Sequence, residues 1–203
     1  MLTSRYTAAL NRVIEPAVAG LARTGLSPSH LTVIGLGLVS ASCLLLLLTR
    51  NRLLFCALVT ASTLVDALDG AVARATGRVT KFGSYLDAMC DRYAEAAVLV
   101  TVASVTGYWL LSLAVLSGFL LVSYAKARAA MEVAVSNLEW PDLMERAERD
   151  ALYIIGFSLS VLLPITPLGR DLFWWTLLLL AVLTHATVVQ RIRRARRIIQ
   201  ERG

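Results

Sequence analysis

Apolar residues come in long blocks along this chain, and polar residues gather at the block edges. Nearly every position from Leu31 to Leu48 is apolar, and comparable blocks run Leu53–Arg74, Phe82–Val105, Tyr108–Ala130, Ala151–Leu163 and Leu172–Val189. A helix rising 1.5 Å per residue needs about 20 such residues to cross a bilayer core. The fifth block is short, so its helix is expected to begin before Ala151. Ahead of the first block, Leu2, Tyr6, Leu10, Val13, Ile14, Val18 and Leu21 recur at helical spacing among Arg5, Arg12 and Arg23. That pattern predicts an amphipathic helix lying in the membrane interface. Gly25 to His30 reads as a turn, with Ser27 or Ser29 as the cap of the next helix. The expected fold is an all-α integral membrane protein of six transmembrane helices preceded by an interfacial amphipathic helix. It forms a single domain: residues 1–24 the interfacial helix, 29–192 the six-helix core and 193–203 a basic cytoplasmic tail.

Composition agrees. Of 203 residues, 57% are hydrophobic and 17% charged, whereas a soluble domain carries about 25% charged residues. The N-terminus lacks the continuous apolar core of a cleavable signal. The net charge is +6, but the cations lie at block edges, which argues against a nucleic-acid partner and for membrane lipids. With six spans, Arg5, Arg12, Arg23, Arg74, Arg78, Lys81, Lys126, Arg128, Arg146, Arg149 and the tail arginines fall on one side. Arg50, Arg52 and Arg170 fall opposite, so the positive-inside rule puts both termini in the cytoplasm. Cys43, Cys56 and Cys90 sit in apolar blocks and read as small buried hydrophobes.

One stretch breaks the apolar pattern at a cost. Asp66, Asp69, Asp87 and Asp91 lie in or beside membrane-buried segments. An Asp at the centre of a membrane helix costs roughly 2.5–3.5 kcal/mol, so four cost on the order of 10–14 kcal/mol. Asp66 and Asp69 share a helix face; Gly83, Asp87 and Asp91 step by four along another. A short basic loop, Ala75 to Lys81, would set the two helices antiparallel with their acidic stripes facing. Hard divalent cations compensate such carboxylates. Gly70 and Gly83 leave room for a ligand, and Arg74 offers a planar fork suited to phosphate.

The run Asp66-x2-Asp69-Gly70-x2-Ala73-Arg74-x8-Gly83-x3-Asp87-x3-Asp91 resembles the signature of the CDP-alcohol phosphotransferases at every fixed position. The resemblance implies an enzyme that cleaves a CDP-activated alcohol, releases CMP and passes the phosphoryl-alcohol to an acceptor hydroxyl. It implies that Asp66, Asp69, Asp87 and Asp91 bind two Mg²⁺ or Mn²⁺ ions, and that Asp91 is the general base. It places Thr32, Asp66, Asp69, Gly70, Ala73, Arg74 and Gly83 at the CDP. Thr32 enters through Pro28-Ser29-His30-Leu31-Thr32, which is similar to the family's Pro-Asn-x-x-Thr, with Ser29 in place of Asn. The family also implies a homodimer.

A second group of charges bears on the acceptor. Four carboxylates and two divalent ions roughly cancel, and Arg74 helps neutralise the diphosphate. A neutral acceptor would then need no further cations, yet Lys126, Arg128, Arg146, Arg149 and Arg191 remain. Ser-Tyr-x-Lys-Ala-Arg-Ala and Glu-Arg-x-Glu-Arg resemble the branch that makes inositol-phosphate lipids from CDP-diacylglycerol or, in archaea, CDP-archaeol. These five cations are therefore expected to bind the phosphate of inositol phosphate. Glycerol 3-phosphate, serine or another alcohol is the alternative acceptor. A cation transporter using the acidic stripes is the alternative of another class.

Overall fold

Each boundary between apolar blocks carries helix stop and start signals, and the helix ends fall there. A computed structural model of the protein describes residues 18, 20, 27–133 and 143–202, with the backbone alone at 67 and 69. Among the described residues there are six α-helices, one 3₁₀ turn (Pro167–Gly169) and no strand.

Helix α1 spans Pro28–Thr49. Ser27 is its cap: the side chain accepts from the His30 amide at 3.3 Å, and Pro28 occupies the first turn, where its missing N–H costs nothing. Arg50 closes α1 in the left-handed region at φ 57, and Asn51 caps α2 (Arg52–Ala75) by accepting from Leu54 N at 3.0 Å. Helix α3 (Lys81–Thr106) starts at Thr80, whose hydroxyl accepts from Gly83 N at 2.9 Å, and stops at Gly107 with φ 78. Helices α4 (Trp109–Glu132), α5 (Arg146–Leu162) and α6 (Leu172–Arg202) complete the chain. As expected, α5 starts ahead of Ala151.

The helices differ from the apolar blocks in two respects. The basic segment expected as a tail after residue 192 continues α6 without a break to Arg202. Arginine is a good helix former, and Ile198 finds an apolar seat against Ala129 of α4. Among the described residues four helices, α1, α2, α4 and α6, are long and apolar enough to cross a membrane, and α3 and α5 are more polar. Helix α3 carries Asp87, Asp91, Arg92 and Glu95 along its length, and α5 is short with Arg146, Glu148, Arg149 and Asp150 in its opening turns. Of the expected interfacial helix only Val18 and Gly20 are described; both are helical, and Val18 packs on Leu31 and Val72. The rest of residues 1–24 lies outside the described residues, as does 134–142 of the polar stretch before α5.

The main packing pairs are α1 with α2 and α3, α3 with α4, α4 with α6, α6 with α5, and α5 with α2. These pairs close a ring, in the order α1, α2, α5, α6, α4, α3. Helices α2 and α3, joined by a short loop, are not each other's packing partners, so their facing stripes border a gap. The ring is cemented at the end far from that loop. There Phe157 and Phe173 meet with centroids 4.8 Å apart, with Phe55 and Tyr153 against them and Leu46, Val102 and Leu177 filling in. Helix α6 comes close to its neighbours because Gly118 and Gly156 face Thr184 and Thr176, where an added Cβ would collide. The outer surface stays apolar, with Val33, Leu44, Leu48, Leu110 and Val182 all exposed, as a lipid-facing surface requires.

Candidate active site

The period of the helix brings Asp66 on α2 and Asp87 and Asp91 on α3 to the same gap. One carboxylate oxygen from each lies within 4.8 Å of the others. Asp91 is buried, while Asp66 and Asp87 are half-buried. Three anionic oxygen donors this close, in a polar opening of an otherwise apolar ring, suit a hard divalent cation such as Mg²⁺ or Mn²⁺. Asp69 lies one turn beyond Asp66 on α2, and its side chain is outside the described residues.

Two spaces border these carboxylates, and a third reaches them through Arg146. The first is a cleft of about 300 Å³ between the N-terminus of α1 and the α2–α3 loop. Thr32, Gly70, Ala73, Arg74, Gly83 and Asp87 line it, so every described side chain expected at the CDP except Asp66 is in one place. Ser29, which stands where the resembling pattern has Asn, lines it too. The glycines border it for different reasons. A Cβ on Gly83 would come within 2.9 Å of the capping Thr80 hydroxyl, and one on Gly70 within 3.3 Å of Arg74 Nη1.

The second space is an inner, mainly apolar cavity among α1, α2, α3 and α5, with Asp66, Asp91, Glu95 and Arg146 at its polar end and Val39, Val59 and Tyr153 below. The third is a cavity of about 620 Å³ among α3, α4, α5 and α6. Lys126 of α4, Arg146 and Arg149 of α5 and Arg191 of α6 line it. Arg128, the fifth expected cation, does not: it is half-exposed and pairs with Glu132, one turn along α4, at 2.6 Å. On α4 a residue two positions after Lys126 points some 200° away from it.

The cations of the third space are held individually. Arg149 is buried, its Cζ 4.5 Å over the Phe119 ring, with Nη1 donating to the Phe119 carbonyl at 3.4 Å and Nη2 3.6 Å from Glu95. Arg191 donates from Nη1 to the Val122 carbonyl. Arg92 was not anticipated; it lines the same cavity, pairs with Glu95 at 3.1 Å and donates to Ser123 Oγ. Its signal was available, since an arginine inside an apolar block needs a partner, and Glu95 follows three residues later. Asp150 was also missed; it lies 3.5 Å from Arg146 Nε. Arg146 joins the spaces: Nη1 is 2.6 Å from Asp91, and Nη2 is 3.0 Å from Asp66.

The model of the CDP-alcohol phosphatidyltransferase family matches residues 26–187. An archaetidylinositol phosphate synthase of Pyrococcus horikoshii is 31% identical over 201 residues, covering 98% of this chain and 99% of its own. The crystal structure of Mycobacterium tuberculosis phosphatidylinositol phosphate synthase with CDP-DAG bound superposes with a TM-score of 0.76 at 31% identity, over 91% of this chain and 94% of that one. The same enzyme in complex with manganese and citrate gives 0.75 at 30% identity, over 89% and 87%.

Proposed function

The chain belongs to the CDP-alcohol phosphatidyltransferase family, and from that premise we propose that it makes an inositol-phosphate lipid. It transfers a phosphatidyl-type group from CDP-diacylglycerol or CDP-archaeol to a hydroxyl of inositol phosphate and releases CMP, in phospholipid biosynthesis. The observation that carries the acceptor is the cavity lined by Lys126, Arg146, Arg149 and Arg191, next to Asp66 and Asp91. A neutral alcohol has no use for that many guanidinium groups, and a phosphate gains a charge-assisted hydrogen bond from each. The relatives' names point the same way.

Asp66, Asp69, Asp87 and Asp91 hold two divalent ions, Mg²⁺ or Mn²⁺, in this reading. When bound they supply Lewis-acid neutralisation of the diphosphate. Thr32, Gly70, Ala73, Arg74 and Gly83 seat the CDP, with Arg74 forking onto phosphate oxygens. The basic cavity fixes inositol phosphate so that its hydroxyl lies in line with the phosphorus that carries the lipid. Asp91 takes the hydroxyl proton as the new P–O bond forms. The bond from that phosphorus to the CMP oxygen breaks, and CMP leaves with the electron pair. The apolar outer surface keeps the lipid portion in the bilayer.

The same reading makes all six helices spans, preceded by an interfacial helix over residues 1–24. The charges of α3 and α5 are then sheltered within the ring. The arginine distribution puts the site on the cytoplasmic side of the cell membrane, and family resemblance makes the protein a homodimer. The deciding experiment incubates purified protein with CDP-diacylglycerol, Mg²⁺ and, in turn, inositol phosphate, inositol, glycerol 3-phosphate and serine. CMP release is expected to be fastest with inositol phosphate. Preference for another acceptor would overturn the acceptor assignment and leave the family reaction intact.

A further inference from the structure

Arg146 touches two of the three clustered aspartates and also lines the basic cavity, whereas Arg92, which lines the same cavity, reaches only Asp91, at 3.7 Å. Its Nη1 and Nη2 hold Asp91 and Asp66 at 2.6 and 3.0 Å, while its side chain also lines the cavity with Lys126, Arg149 and Arg191. Those two carboxylates are among the ligands that the proposed function assigns to the divalent ions. A guanidinium and a divalent cation drawn to the same two carboxylates repel each other and share their negative charge, so the two compete.

Three observations favour a side chain that changes partners. Arg146 keeps 35% of its side-chain surface exposed, against 3% for Arg149, which is clamped by Phe119 and Glu95. Arg146 is the first residue of α5, where the helix dipole disfavours a cation, so the aspartates and not the helix retain it there. Its buried Nε has no hydrogen-bond partner in this position, although Asp150 lies 3.5 Å away. Asp150 is outside the aspartate cluster of α2 and α3 and, one turn along α5, remains as a tether when the other two carboxylates are taken.

We infer that Arg146 couples the two substrates' sites. Divalent metal displaces its guanidinium from Asp66 and Asp91, and the freed guanidinium turns into the basic cavity to bind the acceptor phosphate. Metal and acceptor then bind with positive cooperativity, and the linkage is reciprocal. This inference rests on the metal and acceptor assignments of the proposed function.

The test reads Mn²⁺ binding by electron paramagnetic resonance on the full chain in a neutral detergent, so that no headgroup phosphate competes. Asp66→Asn serves as the control for the metal assignment. In the wild type, saturating inositol phosphate is expected to tighten Mn²⁺ binding about tenfold, and free inositol to leave it unchanged. Arg146→Gln is expected to bind Mn²⁺ more tightly than the wild type without inositol phosphate, because the competitor is gone. Its response to inositol phosphate is expected to fall below about twofold. Equal or weaker Mn²⁺ binding in Arg146→Gln, or full coupling without the guanidinium, overturns the inference. If that variant does not fold, the wild-type measurement decides: Mn²⁺ and inositol phosphate that bind independently overturn it. Mn²⁺ binding unaffected by Asp66→Asn would instead strike the metal assignment itself.

Discussion

Asp87 and Asp91 sit one turn apart on α3 and border different spaces, the nucleotide cleft and the inner cavity. In the proposed reaction they stand, with Asp66, where the diphosphate passes between donor and acceptor. Asp66→Asn and Asp87→Asn are each expected to lower CMP release at least about a hundredfold, with membrane insertion unchanged on fractionation. The cations divide by their contacts. Arg149 lines the basic cavity, and losing one charged hydrogen bond of roughly 1.5–3 kcal/mol should raise the KM for inositol phosphate about ten- to a hundredfold in Arg149→Ala. The KM for the CDP-lipid should stay nearly constant, because the proposed function gives that substrate to Arg74 and the aspartates. Arg128 is the internal control. Its exposed pair with Glu132 is worth about 0–1 kcal/mol, so Arg128→Ala should leave both KM values within about twofold.

At the scale of the element, the loop between α2 and α3 does two jobs. Thr80 caps α3 and also lines the nucleotide cleft, with Gly83 directly beside it. Thr80→Ala should cost about 1 kcal/mol of stability through the lost cap, read as a lower melting temperature. Gly83→Leu disturbs cap and cleft together, since its Cβ would meet the Thr80 hydroxyl. Gly70→Leu separates the two effects. Its side chain would enter the cleft beside Arg74 and touch no cap, so it is expected to block CDP binding in isothermal titration while the melting temperature holds. Unchanged CDP affinity would assign Gly70 to helix packing.

The six described helices form a ring whose far end is packed with aromatic rings and whose near end holds charge. That division lets buried carboxylates and arginines offset one another without unlocking the bundle. Chelation with EDTA should therefore stop turnover while leaving the fold intact by circular dichroism, and added Mg²⁺ or Mn²⁺ should restore it. In the proposed orientation the basic cavity faces the cytoplasm, so raising salt should screen its charges and weaken the acceptor more than the CDP-lipid. A rise in the KM for inositol phosphate between low and high salt, with the CDP-lipid KM nearly flat, is the expected result.

The apolar blocks and their caps carried the helices in the sequence itself: five of the six run within a few residues of the expected bounds, because hydrophobic length and cap chemistry are local properties. The aspartate spacing likewise placed Asp66, Asp87 and Asp91 toward one gap, since 3.6 residues per turn is a property of any helix. Helix order around the ring was not local. It depends on which faces interlock, as Gly118 does with Thr184 and Gly156 with Thr176. For that reason the set of cations expected to converge, Lys126, Arg128, Arg146, Arg149 and Arg191, differs from the set that lines the basic cavity. Arg92 entered the basic cavity and Arg128 left it through rotation about their helices against α4 and its neighbours. The bridge from Arg146 to Asp66 and Asp91 spans α5, α2 and α3, and only the packing of those three helices brings a residue at position 146 within 3.0 Å of one at 66.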